Sequence, residues 1–483
     1  MREKRILFGK QSPGLKVFWL FMAVAVLCLG GGPLEASTVQ KAVVATVSPD
    51  WSSGAHSIIN VQPPRTAQNN LVPTISDITV AAYGKYFYRI ERYMADNVTK
   101  FDVNNPTTPI WQYSTMDPGA VDSSNPYDLV FLNANLAVLI RYGATTAWVV
   151  NLAAPNQDAF KIGELDLSSY ADADGIPEMT SGVIADNKLF ILLQRLEYWC
   201  PSPGVSPYVA VLDLATGQEI DTGLGEGGRK GIPLPVSNPT VINYFSADGM
   251  VYVCGMGTYG SCGDEYDGGI IKINPITYQV SMVLDDGDAA AHPYGHFSGM
   301  ALMSPTKGYV VGYAGWGDNT VYSFNPSTGV VDGPVTSLEH KNISGMESGL
   351  YPDQNGCLWV CNQTDARMEI LDPTDDSIKD QVSTDLNPQK VVFCSNADTP
   401  VAPELDVSTQ GTQVTIAWTP VPSVNGYLLY YASGPTGLGV MPMGNRTSLT
   451  VNLFSGARFL FAVQPWNWSG LGAISNIGFL QIP

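Results

Sequence analysis

The sequence predicts an all-β protein, in which a seven-bladed β-propeller is followed by a smaller β-sandwich. The first observation is a repeat, because seven hydrophobic runs each end in a polar residue and a turn. These polar residues are Gln62, Asp102, Asn151, Asp213, Asn274, Asn325 and Asp372, spaced by 40, 49, 62, 61, 51 and 47 residues. A period of about 40 to 60 residues with several short strands per unit is typical of a propeller.

The second observation is that the two ends of the repeat region complete each other. Residues 41–72 provide three strands without an innermost strand before them, and residues 387–394 provide an innermost strand with nothing after it. Joined, they make one four-stranded blade and close the ring. Closure removes the open sheet edges that favour aggregation, so we expect seven blades closed by strands from both ends of residues 37–400.

Each repeat divides into four strands, A to D, of which A is innermost. In the second repeat these are ISDITVAA, GKYFYRIER, VTKFDVNN and IWQYST. Three later A strands begin at Asn-Pro pairs, at Asn125, Asn238 and Asn387. Proline is tolerated at the first residue of a strand, where no ladder donor is required.

Residues 1–36 have the features of a signal peptide. Five basic residues precede the apolar stretch VFWLFMAVAVLCL, and small or turn-forming residues follow it. This stretch is short for a transmembrane helix, which needs about 20 apolar residues. We therefore predict an exported chain, secreted, periplasmic or at the cell surface, with no membrane span once the signal is removed.

The charge distribution restricts the partners. The whole chain has 25 basic and 44 acidic residues, of which the first 36 contain 5 and 2, leaving 20 and 42 and a net charge of −22. Nucleic acid is excluded as a partner, because phosphate binding needs a basic surface. A cation, a basic protein or a neutral glycan fits this charge better, although a strongly negative surface also simply keeps an exported protein soluble.

Residues 401–483 differ from the repeats and carry only four charged side chains, Glu404, Asp406, Arg446 and Arg458. Trp418, the Gly426-Tyr427 strand, Leu453 and the stretch from Phe461 to Asn476 resemble a fibronectin type III domain. Phe459 departs from that family, which usually has a tyrosine there whose hydroxyl ties down a corner. The repeat region resembles bacterial secreted propellers of the NHL-like and lactonase-like kind, in which segments like DLSSYADADGIPE followed by KLFILLQRL recur. The resemblance implies a fold and an export route, and no activity.

The loops differ between the two faces of the predicted propeller. The A–B and C–D turns are short, whereas several B–C and D–A connections, which share the other face, are long. We call this second side the long-loop face. Binding residues concentrate in long loops held by a rigid scaffold, so this asymmetry places the candidate site there.

Two loops on this face carry metal-capable side chains. Asp172, Asp174 and Glu178, flanked by Asp166, resemble the start of a calcium loop, because alternate carboxylates around a glycine turn suit a hard cation; the alternative is a polar surface turn. The densest cluster is Asp285, Asp286, Asp288, His292 and His296. Pro293 and Gly295 argue against the helix that would place both imidazoles together, so solvated acids and packed histidines are the alternative. Calcium is the one cofactor these patterns suggest.

Cysteines and aromatic residues complete the candidate set. Cys262 has two candidate disulfide partners, Cys200 in the neighbouring blade and Cys254 in its own loop, and the sequence does not separate them. Cys361 and Cys394, in adjacent inner strands, are either a further pair or buried thiols. The aromatic residues of the B–C loops are Tyr198, Trp199, Tyr259, Tyr266 and Trp316. They offer stacking surfaces for sugars or peptides, or else they pack the loops together.

The sequence assigns no catalytic residue, since it has no GxSxG motif and only four histidines. We therefore expect a non-catalytic binding or scaffold protein that engages a protein or glycan partner through the long-loop face. One alternative is a metal-dependent hydrolase or lactonase at the channel mouth, with Asp77, Asp128 and Glu347 holding the ion. Another is a structural surface or adhesion component, which would self-associate. Oligomeric state does not follow from the sequence.

Overall fold

The structure is a computed structural model that describes residues 40–214, 216–343, 347–395, 400–422, 424, 426–433, 438–467 and 470–482. The signal peptide predicted for residues 1–36 lies outside the described residues. The described chain forms two compact units, Gln40–Cys394 and the C-terminal residues from Ser395 onward. No helix within the described ranges has the length and apolar character required to span a membrane.

The propeller strands follow one another with short or long connections. The first fifteen are β1 (Gln40–Val47), β2 (Gly54–Asn60), β3 (Ala67–Thr74), β4 (Ile78–Tyr83), β5 (Tyr86–Glu91), β6 (Asn97–Asp102), β7 (Trp111–Ser114), β8 (Pro126–Asn133), β9 (Leu136–Arg141), β10 (Thr146–Asn151), β11 (Lys161–Asp166), β12 (Met179–Ala185), β13 (Lys188–Leu193), β14 (Leu196–Glu197) and β15 (Cys200–Pro201). The next fifteen are β16 (Tyr208–Asp213), β17 (Ile232–Pro233), β18 (Pro239–Phe245), β19 (Met250–Gly255), β20 (Gly269–Ile273), β21 (Val280–Leu284), β22 (His296–Ser304), β23 (Lys307–Gly315), β24 (Asp318–Asn325), β25 (Val330–Pro334), β26 (Leu350–Pro352), β27 (Leu358–Asn362), β28 (Arg367–Asp372), β29 (Ser377–Ser383) and β30 (Asn387–Ser395). Short 3₁₀ turns span Gln157–Ala159, Ser168–Tyr170, Gly260–Cys262 and Thr336–Leu338.

These strands form seven four-stranded antiparallel blades, as predicted. Blade 1 has the order β30-β1-β2-β3, and blades 2 and 3 contain β4 to β7 and β8 to β11. Blade 4 is β12-β13-β16-β17, with β14 and β15 forming a separate hairpin in its long connection. Blades 5, 6 and 7 contain β18 to β21, β22 to β25 and β26 to β29. The innermost strand of blade 1 thus comes from the end of the propeller, which confirms the predicted closure.

Hydrophobic side chains on both faces of each blade hold the ring together. Strand β1 shows the pattern: Val44 packs with Trp359 of blade 7, whereas its neighbour Val43 packs with Phe87 of blade 2. Successive residues of a strand point to opposite faces of its sheet, so a strand in which all of them are apolar lies between two other sheets. Seven clusters of this kind occur in the described propeller, one at each interface between blades.

The polar residue that marks the repeat closes the turn after the third strand of a blade. Asp102 Oδ1 accepts the N–H of Asn104 at 2.8 Å, and Asn274 Oδ1 accepts the N–H of Ile276 at 2.9 Å. Asp and Asn favour this position because a short polar side chain can bond to the backbone two residues on. Gln62, the exception in residue type, instead donates its amide to Asn355 at 3.3 Å.

The C-terminal unit is a β-sandwich. Its strands are β31 (Leu405–Gln410), β32 (Gln413–Trp418), β33 (Gly426–Ala432), β34 (Leu438–Gly444), β35 (Ser448–Asn452), β36 (Arg458–Asn467), β37 (Gly470–Leu471) and β38 (Gly478–Gln481). One sheet is β31-β32-β35, and the other is β34-β33-β36-β37 with β38 also paired to β36. Trp418, Leu429 and Phe461 lie in the core between the sheets. Phe459, which stands where a corner tyrosine was expected, is also buried there. The hydroxyl of another tyrosine, Tyr427, accepts the N–H of Val421 at 2.7 Å and so fixes the segment around Val421.

Candidate functional site

The long-loop face carries a concentration of exposed large apolar side chains. Tyr93, Met94, Val121, Tyr198, Trp199 and Trp316 are all more than half exposed. Each lies in a connection between the second and third strands of a blade, or between one blade and the next. In an antiparallel blade, both kinds of connection leave from the same end of the sheet. Exposed apolar side chains grouped on one face indicate an interaction surface.

A cavity of about 370 Å³ opens among these loops. It is lined by residues of five innermost strands, including Asp128 of β8, Thr180 of β12, Thr240 of β18, Tyr351 of β26 and Lys390 of β30. Because innermost strands surround the axis of a propeller, we call it the channel cavity. Its volume lies within the usual range of small-ligand sites, about 300–1,000 Å³.

One wall of the channel cavity is a stack of aromatic rings. Trp199, 68% exposed, stacks on Tyr142 with centroids 6.0 Å apart and planes 10° apart. Tyr142 stacks in turn on Tyr127 at 4.7 Å, and the guanidinium of Arg92 lies 4.7 Å from the Tyr127 centroid. The stack leaves one face of the outermost indole open to a ligand. On the far side of the stack, Arg92 contributes a cation–π contact.

Trp199 is held by an unusual turn. Tyr198 and Trp199 join β14 to β15 with φ values of 53° and 71°. A two-residue hairpin turn with positive φ at both positions usually contains Asn or Gly, because bulky side chains are strained there. Such strain concentrates at functional sites, and here it accompanies the exposure of both aromatic rings.

The three acidic residues proposed for a metal at the channel mouth are paired with other side chains. Arg92 bonds Asp77 at 2.7 Å and contacts Glu347 at 3.4 Å. Lys390 lies 3.6 Å from the other oxygen of Glu347, and Ser181 donates to Asp128 at 2.7 Å. Burial opposes the charge of Lys390, but Glu347 and Asp128 outweigh it and raise the pKa of this lysine. The acidic residues Asp77 and Glu347 and the basic residues Arg92 and Lys390 therefore form a network of ion pairs.

Two threonines that line the channel cavity have hydroxyls without a hydrogen-bond partner. Thr180 Oγ1 and Thr240 Oγ1 are both inaccessible to solvent and unpaired among the described residues, and Thr180 is 6% exposed. Next to them, Gln194 donates to Asn238 at 2.8 Å. A buried hydroxyl without a partner costs about 1–3 kcal/mol, so a rotation about χ1 that turned either hydroxyl towards a ligand in the cavity would be favoured.

The disulfide joins neighbouring blades. Cys200 bonds Cys262, with Cα atoms 5.5 Å apart, and this links the loop of Trp199 to the loop of Tyr259, a second cavity residue. The rival pair of Cys254 with Cys262 does not form, because Cys254 is buried in β19 and its thiol donates to the Phe297 carbonyl at 3.4 Å.

The other cysteine candidates are separate thiols. Cys361 packs between blades 7 and 1, whereas Cys394 packs between blades 1 and 2, so the two side chains point to opposite sides of blade 1. Residues on opposite sides of a sheet cannot meet the geometry of a disulfide. Of the two alternatives for Cys361 and Cys394, the structure shows buried thiols and no disulfide between them.

Asp172, Asp174 and Glu178 converge. Each offers a carboxylate oxygen within 4.8 Å of the others, and in the described part of the chain they are the one such set of three metal-capable residues. Burial, with the nearby charges of Asp174 and Asp172, raises the pKa of Glu178 to about 9, although the Leu196 N–H opposes this by donating to it at 3.0 Å. Asp166 lies apart from the set, where it accepts the N–H of Ser168.

The second predicted cluster does not converge. The ring of Tyr266 lies against both His292, at 3.9 Å, and His296, at 4.2 Å, and nearly parallel to each. The tyrosine therefore separates the two imidazoles, which matches the packed histidines given as the alternative to a shared ion. Asp285 and Asp288 accept backbone N–H groups of their own loop. Asp286 is fully buried, 4.0 Å from His296.

The aromatic candidates divide between the channel cavity and its surroundings. Trp199 and Tyr259 line the cavity. Trp316, 74% exposed, packs instead against Trp51 with centroids 6.4 Å apart. Tyr198 is 85% exposed at its turn, and Tyr266 lies in the histidine stack described above.

Sequence reasoning missed several cavity residues, namely Tyr127, Tyr142, Thr180, Gln194, Thr240 and Lys390, and it missed Arg92, which contacts Tyr127 and Glu347 beside the cavity. A signal for three of them was present, because Tyr127, Thr240 and Lys390 lie two or three residues after the Asn-Pro starts at Asn125, Asn238 and Asn387. The first residues of an innermost strand lie beside the channel mouth. Arg92 and Tyr142 had no comparable signal, since each follows the second strand of its blade.

Comparison with known proteins adds no assignment. No protein-family model matches the chain, and no curated protein is significantly similar in sequence. Among solved structures, Citrobacter koseri AztD is 11% identical with a TM-score of 0.41, over 92% of this chain and 100% of that one. A streptogramin B lyase is 12% identical with a TM-score of 0.43, over 68% and 93%. The extracellular domain of BT4673 from B. thetaiotaomicron is 12% identical with a TM-score of 0.40, over 94% and 57%. At these values neither ligand nor activity transfers to this chain.

Proposed function

We propose that this chain is an exported, non-catalytic binding protein that engages its partner through the long-loop face, with the channel cavity as the central contact. The observation that carries the proposal is the cavity itself, which is lined by an exposed tryptophan stack and by two threonines whose buried hydroxyls are unpaired. Large exposed aromatics next to unsatisfied polar groups are the features of a recognition site. In this proposal the sandwich is fibronectin type III-like and acts as a spacer or a second contact.

Metal-dependent hydrolysis is less well supported. A catalytic cation at the channel mouth would need carboxylates free to coordinate it. Asp77 and Glu347 instead contact Arg92, and Glu347 also contacts Lys390. Replacing these contacts with a metal would leave Lys390 and the buried Arg92 without their acidic partners, which is unfavourable.

Capture from the producing organism tests the proposal. Residues 37–483 are immobilised and exposed to extracts of its outer surface, in parallel with Trp199→Ala and Trp316→Ala variants. We expect a reproducible partner that the Trp199 variant loses and the Trp316 variant keeps, because both rings are exposed on one face and only Trp199 lines the cavity. If the Trp199→Ala variant captures the partner as well as wild type does, the partner binds outside the channel cavity. If the protein hydrolyses members of an ester or lactone panel, the hydrolase alternative is favoured.

A further inference from the structure

We infer that the channel cavity binds a neutral saccharide of one or two rings, or the end of a glycan of that kind; the inference rests on the proposed function. Three properties of the cavity lead to this ligand class. These are its network of ion pairs, its exposed aromatic ring and its unpaired hydroxyls.

The charges at the cavity argue for a ligand without net charge. Glu347 is shared between Arg92 and Lys390, and Asp128 accepts from Ser181. An anionic ligand would compete with Glu347 for the two cations. A cationic ligand would compete with those cations for the acids. A neutral ligand leaves every pair intact and avoids the cost of breaking a buried ion pair.

The aromatic stack provides a flat apolar surface. Tyr142 stacks against the Trp199 indole with centroids 6.0 Å apart and planes 10° apart, and Trp199 is still 68% exposed. Its free face carries the negative side of the ring quadrupole. The C–H groups on one side of a pyranose ring are weakly positive and coplanar, so they match this surface. A stacked and disulfide-tethered tryptophan also loses little freedom when the ligand binds.

The polar groups suit hydroxyls rather than peptide groups. Thr180 Oγ1 and Thr240 Oγ1 have no partner among the described side chains or backbone. Each is buried behind the cavity wall, and a rotation about χ1 would let it donate to or accept from a ligand. A sugar hydroxyl has the same dual character. A peptide that adds as a strand needs an open sheet edge, whereas here the innermost strands belong to complete blades and surround the cavity. A volume of about 370 Å³ fits one or two rings and not a long chain.

Binding of pure sugars tests the inference. Titration calorimetry of residues 37–483 would use neutral mono- and disaccharides, with glucuronic acid and glucosamine as charged counterparts and short peptides for comparison. We expect affinity for a neutral sugar that falls about tenfold in Trp199→Ala. Thr180→Val and Thr240→Val, which keep the side-chain shape, should each weaken it about three- to tenfold. Trp316→Ala should leave it unchanged.

The possible results distinguish the saccharide inference from the proposed binding function on which it rests. Preference for a charged sugar or a peptide would overturn the saccharide assignment. So would sugar affinity that is equal in the Thr180→Val, Thr240→Val and wild-type proteins. If no sugar binds and the surface extract still yields a partner dependent on Trp199, the inference fails and the proposed function stands. If no sugar binds and the surface extract yields no partner, the inference and the proposed function both fail. Thermal unfolding of each variant shows that a loss of affinity does not come from a loss of fold.

Discussion

Glu178 places a carboxyl group where a negative charge is costly. The residue is 2% exposed, adopts φ of 46°, and lies with Asp172 and Asp174 in a set of converging carboxylate oxygens. Three such groups cannot all be ionised at close range without a counterion. Arg195 interacts electrostatically with Asp172 and Glu178 and offsets part of this charge, yet the pKa of Glu178 is still raised, so a proton or a bound cation must compensate the rest. We propose that calcium does so, because a hard cation prefers several carboxylate oxygens.

This environment predicts an unusual dependence on pH. The pKa of Glu178 is raised to about 9 in the folded state, above the value of 4.5 expected when unfolded. A raised carboxyl pKa favours the folded state below pH 4.5, and this contribution is lost as the pH rises from 4.5 to 9. With a chelator present, we therefore expect the melting temperature to fall by several degrees between pH 5 and pH 9. Calcium should reverse the loss.

Glu178→Gln isolates this effect, because the amide keeps the shape and cannot ionise. We expect the variant to lose both the dependence on pH over this range and the response to calcium. Asp166→Asn is the matched control, since Asp166 lies outside the set, and it should retain both. A calcium response equal in wild type and Glu178→Gln would show that the ion binds at another place.

At the scale of single elements, the strands were predictable and the contacts between loops were not. Strand β1 alternates apolar residues on two faces, and the Asn or Asp after most third strands marks each turn, so period and turn chemistry reveal the blades. Cys200 could not be paired from the sequence, because its partner depends on how far apart two blades hold their loops. Arg92 was missed for the same reason: its partner Glu347 is 255 residues away.

The inter-blade disulfide is predicted to hold the Trp199 loop in its binding position. It closes a segment with a sequence separation of 62 residues, which corresponds to about 4 kcal/mol in the chain-entropy model. Cys200 follows Trp199 directly, so the bond also fixes the strained turn. We expect the Cys200→Ser, Cys262→Ser double variant to melt several degrees lower and to bind the cavity ligand more weakly. Differential scanning fluorimetry and the binding titration measure the two effects.

Chemical reduction of the disulfide between Cys200 and Cys262 provides an independent check of its role. Dithiothreitol should lower the melting temperature of wild type and leave the double variant unaffected. Cys254→Ser is the control, because Cys254 is a buried free thiol and its loss leaves the bridge intact. If the reductant acts equally on wild type and the double variant, the stabilising bond is not the one between Cys200 and Cys262.

For the whole molecule, stability depends on closing the ring. Strand β30 supplies the innermost strand of blade 1, and its residues enter the clusters on both sides: Val391 packs towards blade 7 and Cys394 towards blade 2. Without β30, strand β1 would have an open edge, and the two neighbouring interfaces would lose part of their core. An exposed edge of this kind promotes pairing with other chains.

Two truncations test this dependence. A chain of residues 37–395 lacks the sandwich and retains β30, and we expect it to unfold in one cooperative transition in urea, as a monomer. A chain ending at residue 386 lacks β30 as well. It should unfold at a clearly lower urea concentration or aggregate, because burial of each large apolar side chain contributes about 1.5–3 kcal/mol and the sheet edge is open. Size-exclusion chromatography and urea titration distinguish these states. Equal midpoints for the two chains would mean that the remaining strands form a stable open ring and that closure by β30 adds no stability.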